Sequence, residues 1–597
     1  MKKNLVLTLL CLLCCYAFAK AQSEQLARNY ADQGEFEKAI LTYKKVLQKQ
    51  RGNRALLAGL TKSYQQLEQY DNAREELSSY LSKMRDKGFL MVELGYNEQL
   101  SGNDSLAASY YKRAINGVSE RTMNAHIVAR TFQVHSLLEQ AVSTYEAGAI
   151  ANPNSNYSVQ LAKLYGELGE IEKMFTANLD LLIRTPKYLN VIQRTFDLYI
   201  TDDPLNEANA IFRKTLLKRL QKDQNVIYNE LLSWLFIQQR QYNKAFVQQK
   251  AIYRRTDGSY EGLVNLGDVA FEEKAYDDAV DILNFLKENP TDEDVKLESE
   301  QKLLQIGVIK AETAQEKLEI KERFEMLLSN PTIIDYAVHI QVDYAHFLAF
   351  NMENPDDAIS YLKEAIKRPR GRFDEARLKM ELADILVLKE QFNQALIYYS
   401  QIQNKIKNNV LSQEARFKVA KTSYYKGDFD WAEQQLDVLK KGATQLIAND
   451  ALELLLVIRD NSVDDSLQTA LRKYAKADLL SYKNEAEKAL IAYDEILDTH
   501  KGEKIEDEAL LSQAKLYEDK QAFDKARKNY ETIIEYYSDG ILADDAYYRL
   551  ARLYEGPLNN VEKAKDNYER IIFDLADSIY YVEAQKRFRN LRGDAIN

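Results

Sequence analysis

Ala39, Ala73, Ala107 and Ala141 recur every 34 residues, and four residues after each stands Tyr43, Leu77, Tyr111 or Tyr145. A small side chain followed one helical turn later by a large one, on a fixed period of that length, marks a two-helix unit copied along the chain. Such a unit cannot bury its apolar face alone and gains a core only by stacking on its neighbours. The 597 residues therefore need no single large core, because an array of this kind grows by adding units.

With 8 prolines and 21 glycines against 39 tyrosines, the chain has few helix breakers, and an all-α fold is expected. In the first unit, residues 25–50, Leu26, Tyr30 and Phe36 form one stripe, Gly34 interrupts it, and Ala39, Tyr43 and Val46 share a face of the next helix. That pattern reads as two short amphipathic helices joined by a tight turn. The alanine sits where the helices come closest, and a longer side chain there would force them apart at a cost of about 1–3 kcal/mol. Tyr43 fills the space where they diverge.

Residues 1–21 read as an export signal: Lys2 and Lys3, an apolar run from Leu5 to Tyr16, then Ala19-Lys20-Ala21, with cleavage expected after Ala21 or Ala19. The apolar run is shorter than the roughly twenty residues that span a bilayer, and no later segment is uniformly apolar, so no transmembrane helix is expected after cleavage. Cys11, Cys14 and Cys15 all fall inside the signal, which leaves the mature chain without disulfides or thiolate metal sites. A lipid-modified cysteine is the competing reading, but Leu10, Leu13 and Cys14 stand where lipoprotein signals carry a small residue. Loss of three lysines and no acid takes the net charge from −11 to −14. A chain so acidic is not expected to bind nucleic acid generally, and its charge reads as solubility for a large surface.

The units resemble tetratricopeptide repeats, whose 34-residue period carries a Gly and a Tyr in the first helix, a small residue and an aromatic in the second, and often a closing Pro. Leu94-Gly95, Leu266-Gly267, Tyr64 and Tyr165 suit the first helix, while Pro153, Pro186 and Pro290 fall where units close. The small landmark continues at Met174, Ala208, Ala245 and Ala279, passes a poor match near Ile320, and resumes at Ala358, Ala395 and Ala432, then at Ala489, Ala526 and Ala564. About fifteen units in an α-solenoid are expected. The last of them, from Ala543, is similar to the longer-helix units of bacterial envelope tetratricopeptide proteins, and Tyr580 to Leu591 fits a capping helix with a wet outer face. The domain reading is a signal at 1–21, an N-terminal array at 22–290, an irregular helical segment or hinge at 291–370, and a C-terminal array with its cap at 371–597. A second irregular stretch, 440–481, has room for extra helices.

Aligning the first helices places Arg28, Lys62, Tyr96, Arg130 and Lys163 mid-helix on the inner face, followed by Asp197, Trp234, Asp268 and Asp384. Basic and aromatic groups gather in the first five units of an acidic protein, so that face is expected to take an anionic or acidic extended segment, with Tyr96 and His126 as flat contacts. Charges alternating by chance on wet helices are the bland reading. The carboxylate clamp of co-chaperones with this repeat is absent, since Glu24 with Arg28 and Ala58 with Lys62 occupy its places.

Asp335, His339, Asp343 and His346 follow one another at spacings of four, four and three, which on a helix makes a weak metal-binding candidate. An ordinary polar helix face is the commoner meaning of such a stripe, and no metal or other cofactor is expected. Lys367, Arg368, Arg370 and Arg372, broken by Pro369 and Gly371, form a basic turn that suits a solvated loop or an anionic headgroup. No phosphate loop, nucleophile elbow, dinucleotide turn or H-E-x-x-H pattern occurs. The expectation is an exported, non-enzymatic scaffold in the periplasm of a Gram-negative bacterium that binds proteins or extended peptides of the cell envelope, with peripheral contact to outer-membrane components as an extension. A subunit of a secretion or outer-membrane assembly machine is the first alternative, and a metal-dependent enzyme on a repeat frame the second.

Overall fold

A computed structural model describes residues 23–593 except 51, 85–86, 291, 369–370, 443 and 463–467; the side chains of residues 332, 335, 336, 441 and 445 are likewise not described. Residues 1–21, the expected export signal, with Cys11, Cys14 and Cys15 lie outside the described residues. Among the described residues every regular element is a helix. The chain divides into two compact units, Met1–Val269 and Ala270–Asn597.

The N-terminal unit stacks helix pairs. The first is 23–32 with Phe36–Lys49, followed by Arg54–Gln66 with Tyr70–Tyr80, Gly88–Leu100 with Asp104–Glu120, and Ala125–Val134 with Leu138–Ala151. Ser158–Glu167 with Ile171–Arg184, Leu189–Phe196 with Glu207–Lys222, and Val226–Gln238 with Tyr242–Arg255 follow, then Glu261–Glu272, which runs past Val269; Tyr276–Glu288 opens the C-terminal unit. The landmark alanines Ala39, Ala73, Ala107 and Ala141 are buried, as are Tyr43, Leu77, Tyr111 and Tyr145. Close approach explains why glycine faces two of these tyrosines: a Cβ on Gly95 would lie 2.5 Å from the Tyr111 ring, and one on Gly59 would lie 2.6 Å from Tyr43.

The turn inside each of the first five pairs passes through one left-handed residue, at Gly34, Glu68, Gly102, Ser136 and Gly169, the repeat period again. Glycine takes that conformation without strain, whereas Glu68 (φ 56°) and Ser136 (φ 56°) hold it against their own sterics.

One landmark moves. Ala208 is only half-buried, and Asn209 beside it is fully buried, donating from Nδ2 to the carbonyls of Thr201 (2.8 Å) and Asp203 (2.6 Å). The close-approach position of that pair is therefore Asn209, whose amide ties down the long turn ahead of its helix.

The C-terminal unit repeats the plan with departures. Glu293–Lys310 pairs with Ala314–Leu328 through a capping box at Thr313 and Glu316, and a short helix Pro331–Tyr336 follows. Val338–His346 runs on into a π turn, Phe347–Asn351, before Pro355–Ile366. Regular pairs then follow: Arg372–Leu388 with Phe392–Lys405, Val410–Lys426 with Phe429–Gly442, Thr469–Tyr482 with Ala486–Thr499, Ile505–Asp519 with Phe523–Tyr536, and Ala543–Glu555 with Val561–Asp574. A single helix, Gln445–Asp460, is inserted between the second and third of these pairs, held by Ala451, Leu455 and Ile458 in the core and by Arg459 Nε on Glu433 (2.7 Å). Tyr581–Arg592 ends the described chain with Ala584 as its buried anchor.

Candidate functional site

The residue eleven positions ahead of each small landmark sits mid-way along a first helix, and in the N-terminal unit this row is Arg28, Lys62, Tyr96, Arg130 and Lys163. The four cations are exposed. Arg28 meets Glu24 at 2.7 Å and Lys163 meets Glu167 at 3.7 Å, both one turn away on their own helices. Such exposed pairs contribute about 0.2–1 kcal/mol at most and leave the cations available. Lys62 and Arg130 have no ion-pair partner among the described residues.

Tyr96 is half-buried and stacks on His135 (centroids 3.8 Å apart, 21° between planes), whose Nε2 lies 3.2 Å from the buried Glu93. His126 is exposed; its ring lies edge-on to Tyr145 and Tyr157, and its Nδ1 is 3.3 Å from the Tyr145 hydroxyl. Further along the row, Asp197 is exposed, while Asp268 and Trp234 are half-buried and Trp234 meets Phe212 edge-on.

Sequence reasoning missed a second charged feature of this unit. Glu98 is fully buried and accepts from Arg74 Nε (2.5 Å) and Nη2 (3.0 Å) and from Asn103 Nδ2 (3.0 Å). The Arg74 bond, stronger than the desolvation that opposes it, holds the Glu98 carboxyl below its usual range. That ion pair joins two neighbouring helix pairs and is structural.

The described members of the weak metal candidate have other partners or face solvent. Asp343 Oδ2 accepts from Gln301 (2.7 Å) and Gln305 (2.9 Å), His346 Nδ1 lies 3.0 Å from Glu381, and His339 is exposed; the Asp335 side chain is not among those described. No group of three or more metal-ligating side chains converges among the described residues. Burial works to lower the His346 pKa, and the Glu381 hydrogen bond with the neighbouring carboxylates outweighs it, so the imidazolium is favoured. In the basic turn, Lys367 pairs with Glu364 (2.5 Å) and Arg372 lies over the Phe373 ring; Pro369 and Arg370 are outside the described residues.

Counting eleven back from the landmarks of the C-terminal unit gives the apolar Phe347 and Leu553, the expected Asp384, and three residues beyond it that the sequence row did not include, Lys421, Asp478 and Lys515. Asp384 is fully engaged, by Tyr399 Oη (2.5 Å) and Lys418 Nζ (2.7 Å), while its carbonyl accepts from Tyr482 Oη (3.1 Å). The other three face a cleft of about 410 Å³ walled on one side by the inserted helix Gln445–Asp460. Burial pushes the Asp478 carboxyl above its usual range despite the pull of Lys421 and Lys515. The floor carries Tyr424, fully buried, whose hydroxyl has no hydrogen-bond partner.

Family models for the tetratricopeptide repeat match residues 30–88 and, in a second variant, 508–540 and 545–572. The chain thus carries tetratricopeptide repeats towards both ends, a helix-pair architecture that presents surfaces to other proteins or peptides. A TPR repeat-containing protein of Methanocaldococcus jannaschii is 24% identical over 284 residues, 42% of this chain and 48% of its own length, so the chain spans about half of that relative. Among solved structures, Naa15/Naa10 bound to HypK-THB aligns over 97% of both chains with 14% identity and a TM-score of 0.26. The APC/C hetero-tetramer Cut9–Hcn1 aligns over 96% of this chain and 98% of its own, with 11% identity and a TM-score of 0.23. No helix among the described residues is long and apolar enough to cross a membrane.

Proposed function

We propose that this chain is an exported, non-enzymatic scaffold of the bacterial cell envelope, and that its N-terminal unit holds an acidic extended segment of a partner protein along Arg28, Lys62, Tyr96, Arg130 and Lys163. One observation carries the binding mode: Lys62 and Arg130 occupy the same register position on first helices, exposed and without an ion-pair partner among the described residues. A preformed helical face costs little to order on binding, so many weak contacts along it add to useful affinity. Cations in a row also steer an acidic partner during encounter. Export rests on the signal-like sequence of residues 1–21.

The test is in-cell crosslinking with identification of captured proteins, run on the native chain and on a triple variant with Arg28, Lys62 and Arg130 each replaced by Glu. The reading expects the triple variant to lose an acidic envelope protein that the native chain captures. Unchanged capture overturns the binding mode, and fractionation of the native chain with the cytoplasm overturns the location.

A further inference from the structure

The cleft of the C-terminal unit brings opposite charges close together and leaves them unmatched. Lys421 projects from Val410–Lys426, Asp478 from Thr469–Tyr482 and Lys515 from Ile505–Asp519. The three are near enough for both ammonium groups to act electrostatically on the carboxylate. None of them makes a hydrogen bond or an ion pair among the described residues. Below them the Tyr424 hydroxyl is buried without a partner, although a buried hydroxyl ordinarily has one. Its neighbours are already committed, Tyr474 Oη lying 2.8 Å from Ser512 Oγ. The upper wall is apolar, made by Phe417, Leu454, Val457 and Leu516.

This set of groups selects its ligand by elimination. A simple anion would suit the two lysines but would meet Asp478 and the exposed Asp450 and Glu453 at the rim. A simple cation would suit the carboxylates but would meet Lys421 and Lys515. A molecule carrying both signs a few bonds apart satisfies every group at once. We propose that the cleft binds a small zwitterion with an apolar side chain, a free α-amino acid or a dipeptide. Its ammonium donates to Asp478 and Tyr424 Oη, its carboxylate accepts from Lys421 and Lys515, and its side chain lies against Phe417 and Leu454. The volume falls within the range of small-molecule pockets, about 300–1,000 Å³. The site is separate from the N-terminal row and stands or falls independently of it.

Calorimetric titration of the purified full chain tests this with L-leucine and leucyl-leucine as probes, which separate the two sources of the zwitterion. Two blocked analogues, N-acetyl-L-leucine and L-leucinamide, each lack one charge. Saturable binding of at least one zwitterion is expected, weakened roughly tenfold or more by either block, since each removes a charge-assisted hydrogen bond. Asp478→Asn is expected to weaken the zwitterion at least as much as the ammonium block does, and Tyr424→Phe to weaken it less. A native chain that binds neither zwitterion at millimolar concentration overturns the proposal. So does equal binding of the blocked analogues, or saturable binding of sulfate in their place. The probes act on the native chain, so the outcome does not depend on any variant folding.

Discussion

The same register position tells the two units apart. In the first five pairs of the N-terminal unit it holds Arg28, Lys62, Arg130 and Lys163, of one sign and facing water, ahead of Asp197 and Asp268; over the regular pairs from Arg372 to Tyr536 it holds Asp384, Lys421, Asp478 and Lys515, which alternate in sign, and the last three line one cleft. A row of one sign reaches outward to a long oppositely charged partner. An alternating row is matched internally or by a compact ligand of both signs. Under the two proposals above, one backbone plan would serve two kinds of recognition, with the side chain at a single repeat position setting which.

Tyrosine packing differs in parallel. Tyr111 of the N-terminal unit donates to the neutral Gln99 (2.7 Å), whereas in the C-terminal unit Tyr530 donates to Glu518, Tyr568 to Glu555 (2.6 Å) and Tyr399 to Asp384 (2.5 Å). The ring fills the same gap in both, but at these three C-terminal positions it also satisfies a carboxylate. The molecule supplies a separate probe of each unit, because its two tryptophans are Trp234 and Trp431. Fluorescence-detected urea unfolding of single-tryptophan variants therefore reads each unit alone.

The largest expected effects remove a buried partner or fill. Tyr530→Ala empties a fully buried slot and is expected to destabilise the C-terminal unit by about 3–5 kcal/mol, a loss visible through Trp431 and absent through Trp234. Arg74→Met strands the fully buried Glu98 and is expected to cost the N-terminal unit about 3–5 kcal/mol, seen through Trp234 alone. Equal losses in both probes for either variant would mean that the units do not unfold separately.

The next effect is a contrast in pH. Glu98 titrates below its ordinary 4.5 because Arg74 holds it ionised, so its contribution to the N-terminal unit is present above pH 4.5 and is lost as the pH falls through the lowered value. Glu508 goes the other way. Burial, with Asp507 beside it, pushes its carboxyl up to about 9, and only one of its oxygens is bonded, accepting from Asn461 Nδ2 (3.2 Å). Its contribution to the C-terminal unit is present below pH 4.5, where folded and unfolded forms are both protonated, and is lost as the pH rises towards 9. Urea midpoints measured from about pH 3 to 9 should rise through the acid range for Trp234 as Glu98 ionises and fall above pH 4.5 for Trp431 as Glu508 resists ionisation, and Glu508→Gln should flatten the Trp431 series.

Smaller still is the hydroxyl itself. Tyr530→Phe takes the hydroxyl from Glu518, which among the described residues keeps only Arg549 at 3.6 Å, and is expected to cost about 1.5–3 kcal/mol, against about 0.5–1.5 kcal/mol for Tyr111→Phe at neutral Gln99. The reverse order would contradict the parallel drawn above. Smallest is Glu68→Gly, which relieves a left-handed non-glycine residue and is expected to stabilise the N-terminal unit by up to about 1 kcal/mol.

The helical plan was legible because packing enforces it locally. Ala39 to Ala141 had to be small and regularly spaced, and burial of each one follows from that. Ala208 misled because a neighbouring polar residue, Asn209, took the buried place by bonding two carbonyls of the preceding turn, which composition alone does not announce. The stripe at His339, Asp343 and His346 meets a related limit: helical spacing aligns side chains but says nothing of the glutamines and of Glu381 that neighbouring helices bring to them. Lys421, Asp478 and Lys515 were within reach of the same count that found Lys62. The cleft around them was not, because it depends on Gln445–Asp460, a helix that breaks the period and carries no repeat landmark.

The outward-facing row of the N-terminal unit is the claim on which the functional account rests, and fluorescence anisotropy of a labelled poly-glutamate peptide titrated with the purified full chain tests it most directly. The account predicts saturable, salt-sensitive binding that weakens roughly tenfold or more when Lys62 and Arg130 are both replaced by Glu, as reversal of two contacting charges requires. Binding of undiminished strength to that double variant, or no binding of the acidic peptide to the native chain at low salt, would contradict it.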